Sequence, residues 1–395
     1  MTQKLTNTMF TGTLASSKLT GAFGSNDGSA LTGLGGSGAT ISASDPTIST
    51  NPAGGVGSLW SNSTSGELFC CTDATTGENH WVNVGHGIGE VHDTSTFQGE
   101  IAGFTSSGHT ELNNYSKTNR ISLINESTST EHGTVTVGRY GPVGQSSSTH
   151  GYASGGYASG ATSNIIDRFQ FATTNNSTDH GDISIGRAHA SGHSSSTHGF
   201  TSGGYPPDRN HIDKFQFSAN TTAASHGTLI LARQNQNGGT SSLTHGFNAA
   251  GNISYGAGPR TKAIDKFTFA SIVATSDHGD ISLVRTGTNG VSSTTDGYSC
   301  SGNNIESNNF GGTAAIDQYS FASANTVSGH GDLAIARRTG VGISGTTHGF
   351  VVSGSGAPVG VRLTQTDKFS YASNTTAADF GDIHKGVDIS AGSQY

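Results

Sequence analysis

Seventeen histidines are the first residues of this sequence to invite a chemical reading, as metal ligands or general bases. Their spacing argues otherwise. Nine of them fall in two recurring motifs, Thr-His-Gly-aromatic (His150, His198, His245, His348) and His-Gly-Asp or His-Gly-Thr (His132, His180, His226, His278, His330). A side chain that returns in one register, copy after copy, does the same structural job in each copy. Imidazoles hydrogen-bonded to backbone at strand starts are therefore expected. Asp167, Asp213, Asp265, Asp317 and Asp367, with Arg139, Arg187, Arg233, Arg285 and Arg337, recur in the same way and are expected to pair, or to cap loops, within or between repeats.

Little is left for catalysis. Glycoside hydrolysis needs two carboxylates about 5 to 9.5 Å apart, yet Glu306 is the one glutamate after Glu131, and Asp208 and Asp388 make a thin pair outside the repeat register. No nucleophile elbow, P-loop, zinc signature or dinucleotide fingerprint occurs. Cys70, Cys71 and Cys300 form neither a metal-ligand spacing nor a disulfide framework. The sequence reads as that of a non-enzyme without cofactor or metal. Recognition is the better expectation, because insertions gather in loops at residues 155–164, 203–211, 251–263, 302–315 and 354–365. There Tyr157, Tyr205, Tyr255 and Phe310 are candidate stacking platforms, and Arg209, Arg260 and Arg362 candidate donors, for a sugar or a neighbouring protein. Solvated loops that merely tolerate insertion are the open alternative.

The elements that must hold these loops follow from composition and spacing. With 59 glycines, 12% charged and 31% hydrophobic residues in 395, the chain is poor in helix formers and reads as all-β. Its net charge of -8 argues against a nucleic-acid partner. A run of about 18 apolar residues, the minimum for a membrane-spanning helix, is absent from the sequence. A landmark Ile-Asp-x-aromatic-x-aromatic falls at residues 166–171, 212–217, 264–269 and 316–321, with a variant at 366–371 and a weak first copy at 121–124. From its Asp to the Gly of the following His-Gly, or of Phe380-Gly381 in the last copy, is always 14 residues (167 to 181, 213 to 227, 265 to 279, 317 to 331, 367 to 381). Six units with four short strands each match the blades of a propeller. One unit is drawn as strands at 192–196, 199–203 and 212–217, with a fourth at 182–186 or its equivalent 228–232. Phe215 and Phe217, two apart on one face, would pack sheet on sheet. Whether the tail after Asp388 completes the ring stays open at this point.

The unit resembles a kelch-type blade from about residue 95 to 390, through segments such as Thr201-Ser202-Gly203-Gly204, although the packing tryptophan of kelch blades is absent. The run from Asp45-Pro46-Thr47 through Gly55-Val56-Gly57-Ser58-Leu59-Trp60, Gly66-Glu67-Leu68-Phe69 and Trp81-Val82-Asn83-Val84-Gly85 is similar to a module of tail-fibre and other virion appendage proteins of marine phages, notably cyanophages. This resemblance implies a virion protein with three parts. Residues 1–50 would be a flexible or partner-ordered attachment and oligomerisation segment, 51–88 a small three-stranded β-meander, and 89–395 a six-bladed kelch-like β-propeller. It further implies a homotrimer, contact with other virion proteins through the N-terminal region, and host surface polysaccharide as ligand.

Overall fold

The structure is a computed structural model that describes residues 38–84, 98–207, 209–234, 238–253, 258–272, 274–304, 312–357 and 361–395. The chain divides into two compact units, residues 1–93 and 94–395.

The first unit is one four-stranded sheet in the order Thr40–Ser42, Leu59–Asn62, Leu68–Asp73, His80–Asn83. The last three strands form the expected meander. The fourth is an addition: Thr40–Ser42 pairs in parallel with Leu59–Asn62, so the sheet begins upstream of residue 51. Phe69, Cys71 and Trp81 are its buried centre, with Trp60 packed against them. Residues 1–37 of the expected attachment segment lie outside the described residues.

The second unit is built of six four-stranded antiparallel sheets in a propeller-like arrangement. The first sheet takes Ala102–Ser106, Lys117–Ser122 and Thr130–Thr134 from its own stretch of chain. Its remaining strand is Ala391–Gln394, from the tail, paired with Ala102–Ser106. Sheets two to six are each one contiguous stretch, for example Ser191–Ser194, His198–Ser202, His211–Gln216 and Ala224–Thr228 in the third. The fourth strand thus lies upstream of the expected 228–232. Gly227 has φ of 121° and shifts the register against His211–Gln216. Beyond it the apolar residues diverge: Leu229 is buried while Ile230 and Leu231 are exposed.

The innermost strands meet at glycine. A Cβ on Gly144, Gly192, Gly239, Gly290, Gly342 or Gly392 would stand 1.8 to 2.8 Å from the carbonyl oxygen of the corresponding glycine in a neighbouring sheet, Gly144 being set against Gly392 of the tail strand. Only glycine permits so close an approach of backbones. One residue pair further along, the amides of Ser146, Ser194, Ser241 and Ser292 donate to the hydroxyls of Ser194, Ser241, Ser292 and Ser344 at 2.9 to 3.1 Å, and Gln394 donates to Ser146 at 3.1 Å. Two cavities of about 60 and 50 Å³ lie along this glycine-lined centre.

Away from the centre, five of the junctions between sheets repeat three contacts. First, an aromatic ring of the second strand stacks on the second aromatic of the next sheet: Phe104 on Phe171, Tyr152 on Phe217, Phe200 on Phe269, Phe247 on Phe321 and Tyr298 on Tyr371, with centroids 4.6 to 5.0 Å apart. Second, the His-Gly histidines reach across. Nε2 of His132, His180, His226, His278 and His330 lies 2.7 to 2.9 Å from the carbonyls of Gln170, Gln216, Thr268, Ser320 and Ser370. A carbonyl only accepts, so each Nε2 carries a proton. Third, Arg139, Arg187, Arg233, Arg285 and Arg337 form ion pairs of 2.5 to 2.9 Å with Asp167, Asp213, Asp265, Asp317 and Asp367, with both side chains essentially without solvent exposure.

The sixth junction, between the last sheet and the first, breaks this pattern at both partners together. Val387 stands in the arginine's place and Asn119 in the aspartate's. Val387 packs with Ile121, Leu123, Val341, Ile343, Phe350, Val352 and Ile383. No buried charge is orphaned there. Removing one partner of a buried pair costs about 3 to 5 kcal/mol, whereas replacing both by uncharged groups is often neutral. Arg187→Val alone is therefore expected to lose stability of that order in urea denaturation, and Arg187→Val with Asp213→Asn, which copies the sixth junction, to recover most of it. A double variant no more stable than the single one would contradict this account of the pairs.

Near the centre, His193 is fully enclosed. Its Nδ1 donates to the Thr240 carbonyl at 3.0 Å and its Nε2 faces the Ser202 hydroxyl at 2.8 Å. Burial lowers its pKa from the usual 6.5 to about 4. Above pH 6.5 this costs nothing, because both folded and unfolded states are neutral. Between pH 6.5 and about 4 the unfolded chain binds the proton and the folded one does not, so stability falls, by about 3 kcal/mol in total for this one group. His132, His180, His226 and His278 are shifted downward by burial too, and add in the same direction. Melting temperature should drop from pH 7 to pH 4.5, and His193→Gln, which places here the residue found at the equivalent Gln145, should make that drop shallower. An unchanged slope in the variant would remove His193 from the account.

Candidate functional site

With the repeated charges occupied at the junctions, the variable groups gather at one end of every sheet, where the second strand hands over to the third. There the segment after each junction residue bridges the next sheet's loop: Asp388 to His109, Tyr140 to Tyr157, Ala188 to Tyr205, Gln234 to Asn252, Thr286 to Asn303 and Arg338 to Ser355. The glycine preceding each loop residue donates its amide to the carbonyl of the junction residue, as Gly108 does to Arg139 and Gly354 to Val387. The result is a short tier of backbone pairing at the loop face. Its side chains are His109, Tyr157, Tyr205, Asn252, Asn303 and Ser355 in the loops, of four types, and Asp388, Tyr140, Ala188, Gln234, Thr286 and Arg338 in the linking segments, all different.

Two clusters stand out on this face. In the first, Arg362 places Nη2 3.0 Å from His109 Nδ1 and 3.4 Å from Asp388 Oδ2, while His109 Nδ1 lies 3.9 Å from Asp388 Oδ1. Burial raises the Asp388 carboxyl above the usual carboxylate range, with the positive charge of Arg362 opposing the shift. The second cluster continues from His109. Tyr140 lies 5.6 Å from His109, 5.3 Å from Tyr157 and 5.7 Å from His189 by ring centroid, all half-buried. Farther round the face, Arg260 donates Nε to Asn252 Oδ1 at 2.9 Å, and Arg338 is close enough to lower its pKa together with burial.

Of the residues expected from sequence to bind a ligand, Tyr157 and Arg362 thus fall in one neighbourhood and Arg260 near it. Tyr205 pairs with Ala188, and Arg209 turns back on its own loop, donating Nη2 to the Pro206 carbonyl at 3.1 Å. Tyr255 and Phe310 lie outside the described residues, as do Asp208 and Glu306. His109, Tyr140 and Arg338 escaped the sequence reading. The signal for two of them was present: the residue directly after each repeated arginine (Tyr140, Ala188, Gln234, Thr286, Arg338) changes chemistry in every copy. Among the described residues no three His, Cys, Asp or Glu side chains are placed to hold a metal ion.

The fold and this face define an all-β repeat protein of propeller-like arrangement. No model of a known protein family matches the sequence, and no curated protein matches it. Among solved structures, the one titled "Structure of YjhT" is similar with a TM-score of 0.56 at 12% identity, over 72% of this chain and 99% of that one. At that identity the likeness is one of fold.

Arg362→Leu should destabilise the protein by roughly 1 to 3 kcal/mol at pH 8, because the buried Asp388 then keeps no guanidinium partner. The difference from wild type should shrink as pH is lowered, because burial raises the Asp388 carboxyl above the usual carboxylate range and loss of Arg362 removes a charge that opposes the rise, and should nearly vanish in Arg362→Leu with Asp388→Asn. Thermal unfolding at pH 8 and below checks this; a single variant as stable as wild type at pH 8 would contradict it.

Proposed function

We propose that this chain is a structural, non-enzymatic component of a phage virion appendage. In this reading residues 94–395 form a closed six-bladed kelch-type propeller, completed by the tail strand. The N-terminal region joins it to other virion proteins and assembles it as a homotrimer. The loop face contacts host surface polysaccharide.

The observation that carries this reading is where the charges go. The repeated His, Asp and Arg side chains are engaged in holding sheet to sheet, the centre is filled by glycine backbones, and the variable side chains are displayed on one face. A rigid scaffold with variable loops at one end is the usual arrangement for recognition. The small first unit supports oligomerisation, since it buries three hydrophobic side chains and leaves Ile41, Val56 and Val84 exposed. Such a unit is too small to be stable on its core alone. The sequence resemblance to cyanophage appendage proteins supplies the virion context.

A second reading, a wall or decoration component without host contact, is favoured by one feature. Arg209, Arg260 and Arg362 each direct a nitrogen to a partner on their own face, which lowers its capacity for outside partners. Light-scattering mass of the full chain and of a chain lacking residues 1–93 tests the assembly. The full chain is expected at three times its monomer mass of 40.1 kDa and the shortened one as a monomer. A monomer in both forms would count against an appendage of this kind.

A further inference from the structure

We infer that the arc of the loop face running from Arg260 through Arg338 and Arg362 to Tyr140 and Tyr157 binds an acidic saccharide, a sugar bearing a carboxylate or a sulfate ester. The inference rests on the proposed role of this face in polysaccharide contact and specifies the chemistry of the sugar.

Charge is the first argument. Among the described residues the arc holds three guanidiniums, Arg260, Arg338 and Arg362, against two carboxylates, Asp388 and Glu111, the latter exposed two residues on from His109 in the same loop, in a chain whose net charge is -8. Concentrating like charges costs energy that a fold has no reason to accept unless an anion offsets it. By contrast, the five arginines of the sheet junctions each have their own aspartate.

Hydrogen bonding is the second. Arg338 Nε, Arg260 Nη1 and Gln234 Nε2 are shielded from water and donate to nothing among the described residues, and Gln234 is 97% buried by its 3% exposure. A shielded donor without an acceptor costs about 1 to 3 kcal/mol. An oxyanion supplies the acceptors, and guanidinium with carboxylate or sulfate forms charge-assisted, paired hydrogen bonds. Asparagine and glutamine alone would suffice for a neutral sugar.

The third is shape. The half-buried rings of Tyr140, Tyr157 and His109 adjoin Arg362 through the contact of 3.0 Å between its Nη2 and His109. An aromatic surface next to a cation suits a pyranose, whose C–H face packs on the rings while its charged substituent turns to the guanidinium. The attraction between guanidinium and oxyanion at the exposed edge of this face is weakened by salt.

Isothermal titration of the full-length protein with polygalacturonate, dextran sulfate and neutral dextran tests the proposal. Polygalacturonate or dextran sulfate should bind, the stronger of the two identifying the oxyanion, with affinity falling as NaCl rises and with no binding of neutral dextran at equal concentration. Arg338→Gln and Arg260→Gln should each weaken binding tenfold or more at an unchanged melting temperature, and Tyr157→Ala should weaken it as well. Wild-type affinity in both arginine variants would overturn the inference by placing the anion elsewhere. Neutral dextran bound as tightly as the acidic polymers, and lost in Tyr157→Ala, would overturn it while leaving polysaccharide contact intact. Binding of none of the three would overturn it together with the glycan role, whereas the mass measurement judges the appendage reading independently.

Discussion

The buried arginine–aspartate pair at the sheet junctions is the constraint on which the second unit depends. Each guanidinium leaves one sheet and is enclosed by the next, where it meets both the carboxylate and backbone carbonyls: Arg139 donates to Ala153, Arg187 to Thr201, Arg285 to Ser299 and Arg337 to Val351. The carboxylates in turn accept backbone amides from the linking segment, as Asp213 does from Ser184 and Asp317 from Ser282. A pair so enclosed contributes little net stability compared with hydrophobic packing, but misplacing it is costly. Its effect is therefore to fix how each sheet sits on its neighbour. The stacked aromatics alone, being tolerant of sliding, would define that angle less sharply.

The glycines at the centre are the complement of this arrangement. Ion pairs and ring stacks draw the sheets together, and the absence of Cβ atoms on the innermost strands lets them approach until backbones touch. The two cavities described along this centre, of about 60 and 50 Å³, have room for a few waters. At the loop face, the tier of bridges gives each variable side chain a fixed place. The exception at Val387 and Asn119 falls where the tail strand joins the first sheet. That junction is held by apolar packing and by the strand itself.

Much of this was legible in the sequence, because the repeat forced the same residues into the same positions. The paired aromatics at Phe215 and Phe217 and the backbone-bound His132, His180, His226, His278 and His330 are found as their recurrence implied, whereas His150, His198, His245 and His348 bond the hydroxyl of the preceding threonine instead of backbone. The fourth strand was displaced in the reading of the second and third sheets, although in the fifth it runs from Ser328 to Arg337 and includes the expected segment. Ile183-Ser184-Ile185 and Leu229-Ile230-Leu231 look like strands by alternation, yet Ile183 and Leu229 alone are buried and Ile185 and Leu231 face solvent. The strand lies over the His-Gly itself, whose glycine takes a positive φ that no alternation pattern reveals. In the first unit, Thr40–Ser42 was missed because three residues among Gly, Ser and Ala carry no periodicity. The loop face was legible as a location and less so in its members. Tyr157 and Arg362 were found by residue type, but His109 and Tyr140 join them only through sheet-to-sheet bridges that connect distant parts of the sequence.

Hydrogen–deuterium exchange at Ala391–Gln394 tests the central claim, that sheets fixed in angle by their junctions return to the first one, most directly. The account predicts protection of these tail amides comparable to that of Ala102–Ser106, with both segments exchanging together when the unit opens. Exchange of the tail within seconds while Ala102–Ser106 stays protected would show that the circuit of sheets does not close in this way.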